Sequence, residues 1–243
     1  MVITYGDMKF LIDPWLQDKG TGRSAPSPDP MKNKIGCPIM KLPCSVEELL
    51  KGIDACLVTH VHPDHFTEEY LPKDMLYILK NRKDEKTLHD MGFLNTKCFE
   101  QNELIFGNVS LTRTEGKHGV HTVCAKAMGN VCGYIFKCPT ERTLYLAGDT
   151  VYYEKVDEVI TSEQPEVIIL NACDARIKIL GRLIMNIEDV LKVRKQLPNA
   201  KIIISHMDNV NHAFLTRTDY YNLKAETKDE NLFIPEDGES IQL

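Results

Sequence analysis

The chain has 243 residues and 43% hydrophobic content, enough for a substantial core, and it lies near the upper size for one compact domain. We therefore expect a single domain over residues 1–243. Its 29 basic and 35 acidic residues give a net charge of −6. Because this is the wrong sign for neutralising the phosphates of a polymer, nucleic acid is not an expected partner.

The apolar runs are strand-sized and shorter than the ~20 residues of a membrane-spanning helix, so no membrane partner is expected. Asp7, Lys9 and Asp13 interrupt any apolar core near the start, unlike a secretory leader. The eight cysteines include no C-x-x-C pair, and several lie in apolar runs, which favours reduced, packed thiols. These features predict a cytoplasmic protein.

The first predicted elements are the two strands of a hairpin, Val2–Tyr5 and Lys9–Ile12. From Pro14 to Pro43 the chain carries six prolines and three glycines, which predicts a long surface loop. A loop of this length is unusual in a compact domain. It is a candidate cover for a substrate site, with plain solvation as the alternative.

A capping box at Ser45 and Glu48 predicts a short helix that ends near Gly52. Further helices are predicted over Asp84–Met91, Tyr153–Ser162, Ile187–Gln196 and Thr218–Glu226. Strands are predicted over Ala55–Thr59, Glu103–Phe106, Val109–Arg113, Val131–Lys137, Arg142–Ala147, Val167–Asn171, Ile202–Ser205 and Asn231–Ile234. Since several of these strands are apolar on both faces, sheets covered by helices are expected, in an α/β (α+β) fold.

The strongest chemical signal is the segment Thr59–His65, which reads T-H-V-H-P-D-H directly after a buried strand. In extended backbone the side chains at i and i+2 point the same way, so His60 and His62 can bind one ion. Asp64 and His65 then face a second position. Imidazole and carboxylate suit zinc, iron or manganese, whereas a set of thiolates would indicate a structural zinc.

Two later apolar strands also end in candidate ligands, Asp149 and His206. Strand ends on one edge of a sheet can converge on a shared cleft. The Asp149 carboxylate can offer oxygens to two ions, and Thr150 can hydrogen-bond it. His118 comes from a polar loop, where a solvated histidine is an equal alternative and His121 competes for the same role.

Other residues are candidates for supporting roles. Asp13 and Thr59 can fix imidazole tautomers by hydrogen bonding, with structural capping as the alternative. Arg176, in a basic cluster after a predicted strand, suits a carboxylate or phosphate of the substrate, although a solvated loop explains it equally well. Tyr152 and His212 are further candidates for lining the substrate pocket.

The chain resembles the metallo-β-lactamase superfamily in the order of its motifs. These are the H-x-H-x-D-H segment, the loop histidine His118, Gly148-Asp149-Thr150 and the final histidine His206. The resemblance runs from the end of the first hairpin to His206. It is greatest for the L-ascorbate-6-phosphate lactonase-like branch, on the strength of Leu11–Trp15, Lys117–Gly119, Gly148–Thr150 and Ser205–Met207.

The resemblance implies a four-layer αβ/βα sandwich with two metal ions at one edge of two packed sheets. It implies a first ion held by His60, His62 and His118, a second held by Asp64, His65 and His206, and Asp149 between them. This favours His118 over His121. Zn²⁺ is the preferred ion, with Mn²⁺ and Fe²⁺ as alternatives.

A pair of such ions lowers the pKa of water towards neutrality, which predicts hydrolysis of a small ester, lactone, amide or phosphoester. Asp64 is expected to combine a ligand role with a catalytic one, by orienting the attacking hydroxide and taking its proton. An anionic small molecule is a hypothesis for the substrate. Two alternatives stay open: an iron-dependent oxidoreductase of the dioxygenase type, and a metal-binding protein without catalysis.

Overall fold

The structure is a computed structural model that describes residues 1–243. Its first sheet has five strands in chain order: β1 (Val2–Tyr5), β2 (Met8–Ile12), β3 (Ala55–Val58), β4 (Leu76–Leu79) and β5 (Thr96–Cys98). Strands β1 and β2 form the predicted antiparallel hairpin, in which Val2 pairs with Leu11. Strands β2 to β5 run parallel to one another.

The second sheet has seven strands: β6 (Glu103–Phe106), β7 (Val109–Gly116), β8 (Val131–Lys137), β9 (Leu144–Leu146), β10 (Val167–Asn171), β13 (Lys201–Ser205) and β14 (Leu232–Phe233). Their order is β14-β13-β10-β9-β8-β7-β6. The half from β6 to β9 is antiparallel, and the half from β9 to β14 is parallel. A separate two-stranded hairpin pairs β11 (Arg176–Ile177) with β12 (Gly181–Arg182).

Six helices complete the fold: α1 (Val46–Leu50), α2 (Arg82–Asp90), α3 (Thr122–Met128), α4 (Glu154–Glu163), α5 (Ile187–Gln196) and α6 (Arg217–Thr227). The capping box predicted at the start of α1 is present, with Ser45 and Glu48 bonded to each other's backbone N–H. Where an element was predicted, its ends lie within three residues of the observed ones.

Three apolar clusters define the layers. One lies between the two sheets, a second joins the other face of the seven-stranded sheet to α4, α5 and α6, and a third joins the other face of the five-stranded sheet to α2. Strand β3 shows the alternation, since Leu57 faces the other sheet while Cys56 and Val58 face the helix side. The order is helix, sheet, sheet, helix, so the predicted four-layer sandwich is confirmed.

Among the elements that the sequence did not predict are β4, β5 and α3. Strand β4 is a run of four residues buried in a parallel sheet, and such a run shows no alternation. Strand β5 is three residues long and mostly polar. Helix α3 is short, begins with three residues of low helix propensity, and has no side-chain cap at its start. All three are fixed by tertiary packing rather than by local pattern.

Residues 14–43 form the predicted long loop, with only a 3-10 turn at Lys32–Lys34 and an isolated bridge between Gly22 and Cys37. The loop is packed rather than simply solvated, because Leu16, Ser27 and Cys37 are buried. None of the helices combines the length and the apolar character needed to cross a bilayer.

All eight cysteines are unpaired, and seven of them are buried. The seven buried cysteines pack as small apolar side chains, as predicted for those in apolar runs of the sequence.

Candidate metal centre

The site is built where parallel strands end at one edge. The segment after β3 carries His60, and β9 and β13 are followed by Asp149 and His206. Gly148, just before Asp149, has a φ of 67°. A Cβ atom there would lie 2.5 Å from the carbonyl oxygen of Cys132, so the chain can turn the carboxylate into the site only with glycine at this position.

The structure brings all seven predicted ligands together. The atoms that could bind metal form three groups, in each of which they lie within 4.8 Å of one another. Two are the predicted sets, His60, His62 and His118 and Asp64, His65 and His206, and the third joins Asp13 to His60 and His65. Asp149 lies between the two predicted sets. Its Oδ2 atom is 3.2 Å from His65 Nε2, 3.7 Å from His118 Nε2 and 3.8 Å from His206 Nε2.

Three of the histidines are each anchored through one ring nitrogen. His62 donates from Nε2 to the Met128 carbonyl at 2.9 Å, and His118 donates from Nδ1 to the Leu183 carbonyl at 3.3 Å. His65 donates from Nδ1 to Asp13 at 2.8 Å. In each ring the other nitrogen has no such anchor and, in the neutral imidazole, can bind a cation, which is the arrangement of a metal-binding histidine oriented by an outer partner.

His60 and His206 follow the same pattern. Thr59 donates its hydroxyl hydrogen to Asp13 at 2.6 Å and lies 3.0 Å from His60 Nδ1, so this nitrogen donates to the Thr59 oxygen. His206 Nδ1 contacts the Cys173 sulfur at 3.6 Å. The predicted supporting roles of Asp13 and Thr59 thus have a direct hydrogen-bonding basis.

The free nitrogen of His60 provides a test of metal fit. His60 Nε2 is fully buried and has no hydrogen-bond partner in the protein. An unpaired polar atom in this position costs about 1–3 kcal/mol unless something else satisfies it. A cation bound there would do so. The donor set of five imidazoles and two carboxylates therefore fits divalent metal.

The two carboxylates are held in the ionised form. Burial favours the neutral acids of Asp64 and Asp149. The positive charges of His65 and His206 outweigh this effect and keep the pKa of both carboxyl groups below the usual range. The centre therefore offers two negative charges to a bound cation.

The imidazoles divide into two classes in the protein chain alone. Burial lowers the pKa of His118 to about 4, and burial together with the neighbouring His65 lowers the pKa of His60. Burial also lowers the pKa of His65 and His206. The charge of Asp149 and its neighbours outweighs it, raising the pKa of His65 to about 10 and that of His206 well above its usual value.

One predicted hydrogen bond is wrong. The Thr150 hydroxyl does not bond the Asp149 carboxylate, because it donates to backbone carbonyls and accepts from the N–H of Lys117. Instead, Asn171 donates from Nδ2 to Asp149 Oδ1 at 2.7 Å. Asn171 ends strand β10 at the same edge as the ligands, so the strand-end pattern that identified Asp149 also applied to it.

The ligands open onto a cleft of about 230 Å³. Besides ligands, its lining includes His212 and residues from the long loop, among them Arg23 and Cys37. The predicted role of this loop as a cover for the site is consistent with that position. His212 is 7% exposed, so it lines the cleft from a buried position.

The other two predicted substrate residues lie outside this lining. Arg176 forms an ion pair with Asp174, at 2.5 Å between Nη2 and Oδ2. Tyr152 donates its hydroxyl to Asp157, also at 2.5 Å. Both side chains are engaged with carboxylates of the protein, so the expectation that they contact substrate has no support in the structure.

The sequence did not single out Arg23 and Asn211. Arg23 lies in a proline-rich loop with several other charged residues, and no local pattern marks it. Asn211 is buried and bonds the loop backbone, a contact between segments 186 residues apart. Only its neighbour His212 carried a recognisable chemical signal.

Comparison with known proteins gives an independent view of the chain. The sequence model described as Beta-lactamase superfamily domain matches residues 9–207. The chain is 41% identical to UPF0173 protein YddR of Bacillus subtilis (strain 168), in a match covering 99% of this chain and 95% of that protein. It is 24% identical to a UPF0173 metal-dependent hydrolase of Koribacter versatilis (strain Ellin345), over 70% of this chain and 66% of that protein.

Two solved structures share the fold at a TM-score of 0.92, each covering 100% of this chain and 95% of its own. One is an isothiocyanate hydrolase from Delia radicum gut bacteria, 33% identical, and the other a possible metal-dependent hydrolase from Veillonella parvula DSM 2008, 32% identical. These matches confirm the resemblance read from the sequence motifs. None of these relatives is named a lactonase, and the lactonase-like branch stays a prediction.

Proposed function

The chain belongs to the beta-lactamase superfamily of metal-dependent hydrolases, and we propose that it hydrolyses a small ester, lactone, amide or phosphoester at a centre holding two divalent ions. Zn²⁺ is the preferred ion on the chemistry of the ligands. His60, His62 and His118 would hold one ion, Asp64, His65 and His206 the other, and Asp149 would contact both.

The orientation of the histidines carries this proposal. Each of the five rings has one nitrogen against an outer partner, and the other is turned towards the space shared with Asp64 and Asp149. Buried imidazoles that only filled a core would be expected to satisfy both nitrogens. The open nitrogen of His60 in particular favours a bound cation.

Two divalent ions held here would acidify water and polarise the oxygen that gains charge as the substrate bond breaks. The protein supplies the groups around that reaction. Asp64 is ionised and lies at the cleft surface, so its carboxylate can accept a proton from the attacking water. Asp149 and Asn171 form a buried pair, and Asn171 fixes the orientation of the shared carboxylate.

The hydrolase names of the relatives favour hydrolysis over the oxidoreductase and the non-catalytic alternatives. The isothiocyanate hydrolase adds one further substrate type that a screen should contain. A cleft of about 230 Å³ favours a compact molecule over a polymer.

The test is a hydrolysis screen on protein loaded with zinc, manganese or iron, using 4-nitrophenyl acetate, a γ-lactone, bis(4-nitrophenyl) phosphate and benzyl isothiocyanate. Metal content is measured in parallel by mass spectrometry. We expect turnover of at least one substrate by the wild type. Because His118 and Asp149 face the shared space, His118→Ala and Asp149→Ala should each lose at least about 100-fold in kcat/KM.

His121→Ala is the matched control, because His121 lies in the same loop and is exposed. It should keep both metal and activity. Full activity of His118→Ala would contradict the proposal, as would oxygen consumption in place of hydrolysis by the iron-loaded protein.

A further inference from the structure

We propose that Arg23 and His212 hold an anionic group of the substrate, so that the natural substrate is a compact molecule carrying a carboxylate or phosphate beside the bond that is hydrolysed. This inference rests on the proposed function and specifies its substrate class. Both residues line the cleft that contains the metal-binding groups, and neither belongs to the ligand set.

Arg23 has no partner within the protein. Among the eight arginines of the chain, six have side-chain hydrogen bonds, and only Arg23 and the distant Arg142 have none. Arg23 is also the only arginine or lysine that lines the cleft. The two carboxylates in the lining, Asp64 and Asp149, belong to the ligand set and form no ion pair with Arg23. Its guanidinium is therefore free for a ligand, and its planar fork suits a carboxylate or phosphate.

The backbone on both sides of Arg23 is fixed, although the residue lies in a long loop. Gly22 donates to the Cys37 carbonyl at 2.7 Å. Ala25 both donates to and accepts from the buried Asn211 side chain, at 3.0 and 2.8 Å. Ser24 donates from its hydroxyl to the Ile35 carbonyl at 2.9 Å. The protein thus holds the base of the Arg23 side chain in place before any ligand arrives, which lowers the entropic cost of binding.

His212 differs from the five histidines of the metal groups. Each of those has one ring nitrogen held by an outer partner, whereas His212 makes no side-chain hydrogen bond, and its Nδ1 is buried. The side chain is more than nine-tenths buried and faces the cleft. The protein leaves this buried imidazole without a polar partner, so it is available to a polar group of a ligand in the cleft.

Two chromogenic esters with the same leaving group separate this inference from simple solvation. One is 4-nitrophenyl acetate, which is neutral, and the other is mono-4-nitrophenyl succinate, which carries a carboxylate. The variants are Arg23→Gln and His212→Ala, with Arg142→Gln as the matched control, since Arg142 is exposed and also lacks a side-chain partner. His212→Gln, which restores a hydrogen-bond donor, is the conservative variant.

For Arg23→Gln we expect KM for the succinate ester to rise about tenfold and KM for the acetate ester to change less than about twofold. His212→Ala should show the same selectivity with unchanged metal content, and His212→Gln should recover part of the loss. Arg142→Gln should match the wild type. Equal effects on both esters, or no effect of Arg23→Gln, would overturn the inference.

Binding of succinate to the metal-loaded protein, measured by calorimetry, gives a readout that needs no turnover. The Kd of Arg23→Gln should exceed that of the wild type by about tenfold, whereas that of Arg142→Gln should not change. If the wild type hydrolyses neither ester but shows this difference in Kd, the proposed reaction fails and the anion site stands. If it hydrolyses the esters and Kd does not differ, the anion site fails and the proposed reaction stands.

Discussion

Asp13 Oδ2 accepts a hydrogen bond from His65 Nδ1 at 2.8 Å, between residues 52 positions apart. The same oxygen accepts from the Thr59 hydroxyl at 2.6 Å, and Thr59 in turn contacts His60. One carboxylate at the end of the first hairpin therefore orients a histidine in each of the two metal groups. This connection makes Asp13 a positioning residue for the whole centre.

Asp13→Asn is expected to lower zinc affinity by about 10–100-fold, because an amide orients the His65 ring less strongly than a carboxylate and does not increase its basicity. Competition with a chromogenic chelator measures this change. Asp18→Asn, at an exposed aspartate in the following loop, is the control and should leave affinity unchanged. Equal affinities of Asp13→Asn and the wild type would refute the positioning role.

Metal binding should release at least one proton per chain. In the chain alone the neighbouring carboxylates raise the pKa of His65 to about 10, so the ring is protonated at pH 7. A metal ion needs the neutral imidazole and must displace that proton. Zinc affinity should therefore fall as pH decreases below 10, by about tenfold per unit for each proton released. Calorimetry in two buffers of different ionisation enthalpy measures the release, and a value of zero would argue against binding at His65.

Bound ions should stabilise the fold, because the ligands come from segments between His60 and His206 that meet only in the folded chain. At a free zinc concentration 100 times Kd, the free energy of unfolding should rise by about 2.7 kcal/mol per site. Thermal melts with zinc and with chelator measure the difference. His62→Ala should show a smaller shift than the wild type, and identical melts for the wild type under both conditions would contradict a metal centre.

Gly148→Ala should lower the free energy of unfolding by about 3 kcal/mol, since the new methyl group would meet the Cys132 carbonyl and the residue has a positive φ. Gly52→Ala provides the comparison, because Gly52 has a φ of 70° but nothing within 4 Å. Its cost should be about 1 kcal/mol, from the backbone alone. Urea denaturation measures both values. If both variants lose the same free energy of unfolding, the contact between the new methyl group and the Cys132 carbonyl is relieved without cost, which would contradict the prediction.

Asn211→Ala should loosen the loop over the cleft. The variant loses the two bonds to Ala25 and leaves partly buried backbone groups without their protein partner, which costs about 1 kcal/mol. Limited proteolysis should then cut residues 14–43 faster, while metal content stays unchanged. Asn108→Ala, at an exposed asparagine in a hairpin turn, should not alter the cleavage rate. Unchanged cleavage in Asn211→Ala would show that other contacts fix the loop.

The ligands could be predicted from the sequence because most of them directly follow a buried strand or belong to the H-x-H-x-D-H segment. His60, Asp149 and His206 follow buried strands, and chain order together with the superfamily resemblance selected His118 over His121. The outer partners Asp13 and Thr59 were also found, since they flank predicted strands. The fold class followed from strands that are apolar on both faces.

The cleft lining was harder to predict because it depends on contacts between distant segments. The loop backbone beside Arg23 is held at the cleft partly by the bonds of Asn211 to Ala25, which no local pattern encodes. Arg176 had the right chemistry, but its ion pair with Asp174 takes up the guanidinium. Charge type can be read from a sequence, whereas the partner of each charge is decided by tertiary packing.

Anomalous X-ray diffraction at the zinc edge, from crystals of the zinc-loaded protein, tests the central claim most directly. We expect two peaks in the cleft, one about 2.0–2.2 Å from nitrogens of His60, His62 and His118, and one at similar distances from the second group. Asp149→Ala crystals should show reduced occupancy. Crystals with no peak among these residues, grown in excess zinc, would contradict the dinuclear centre.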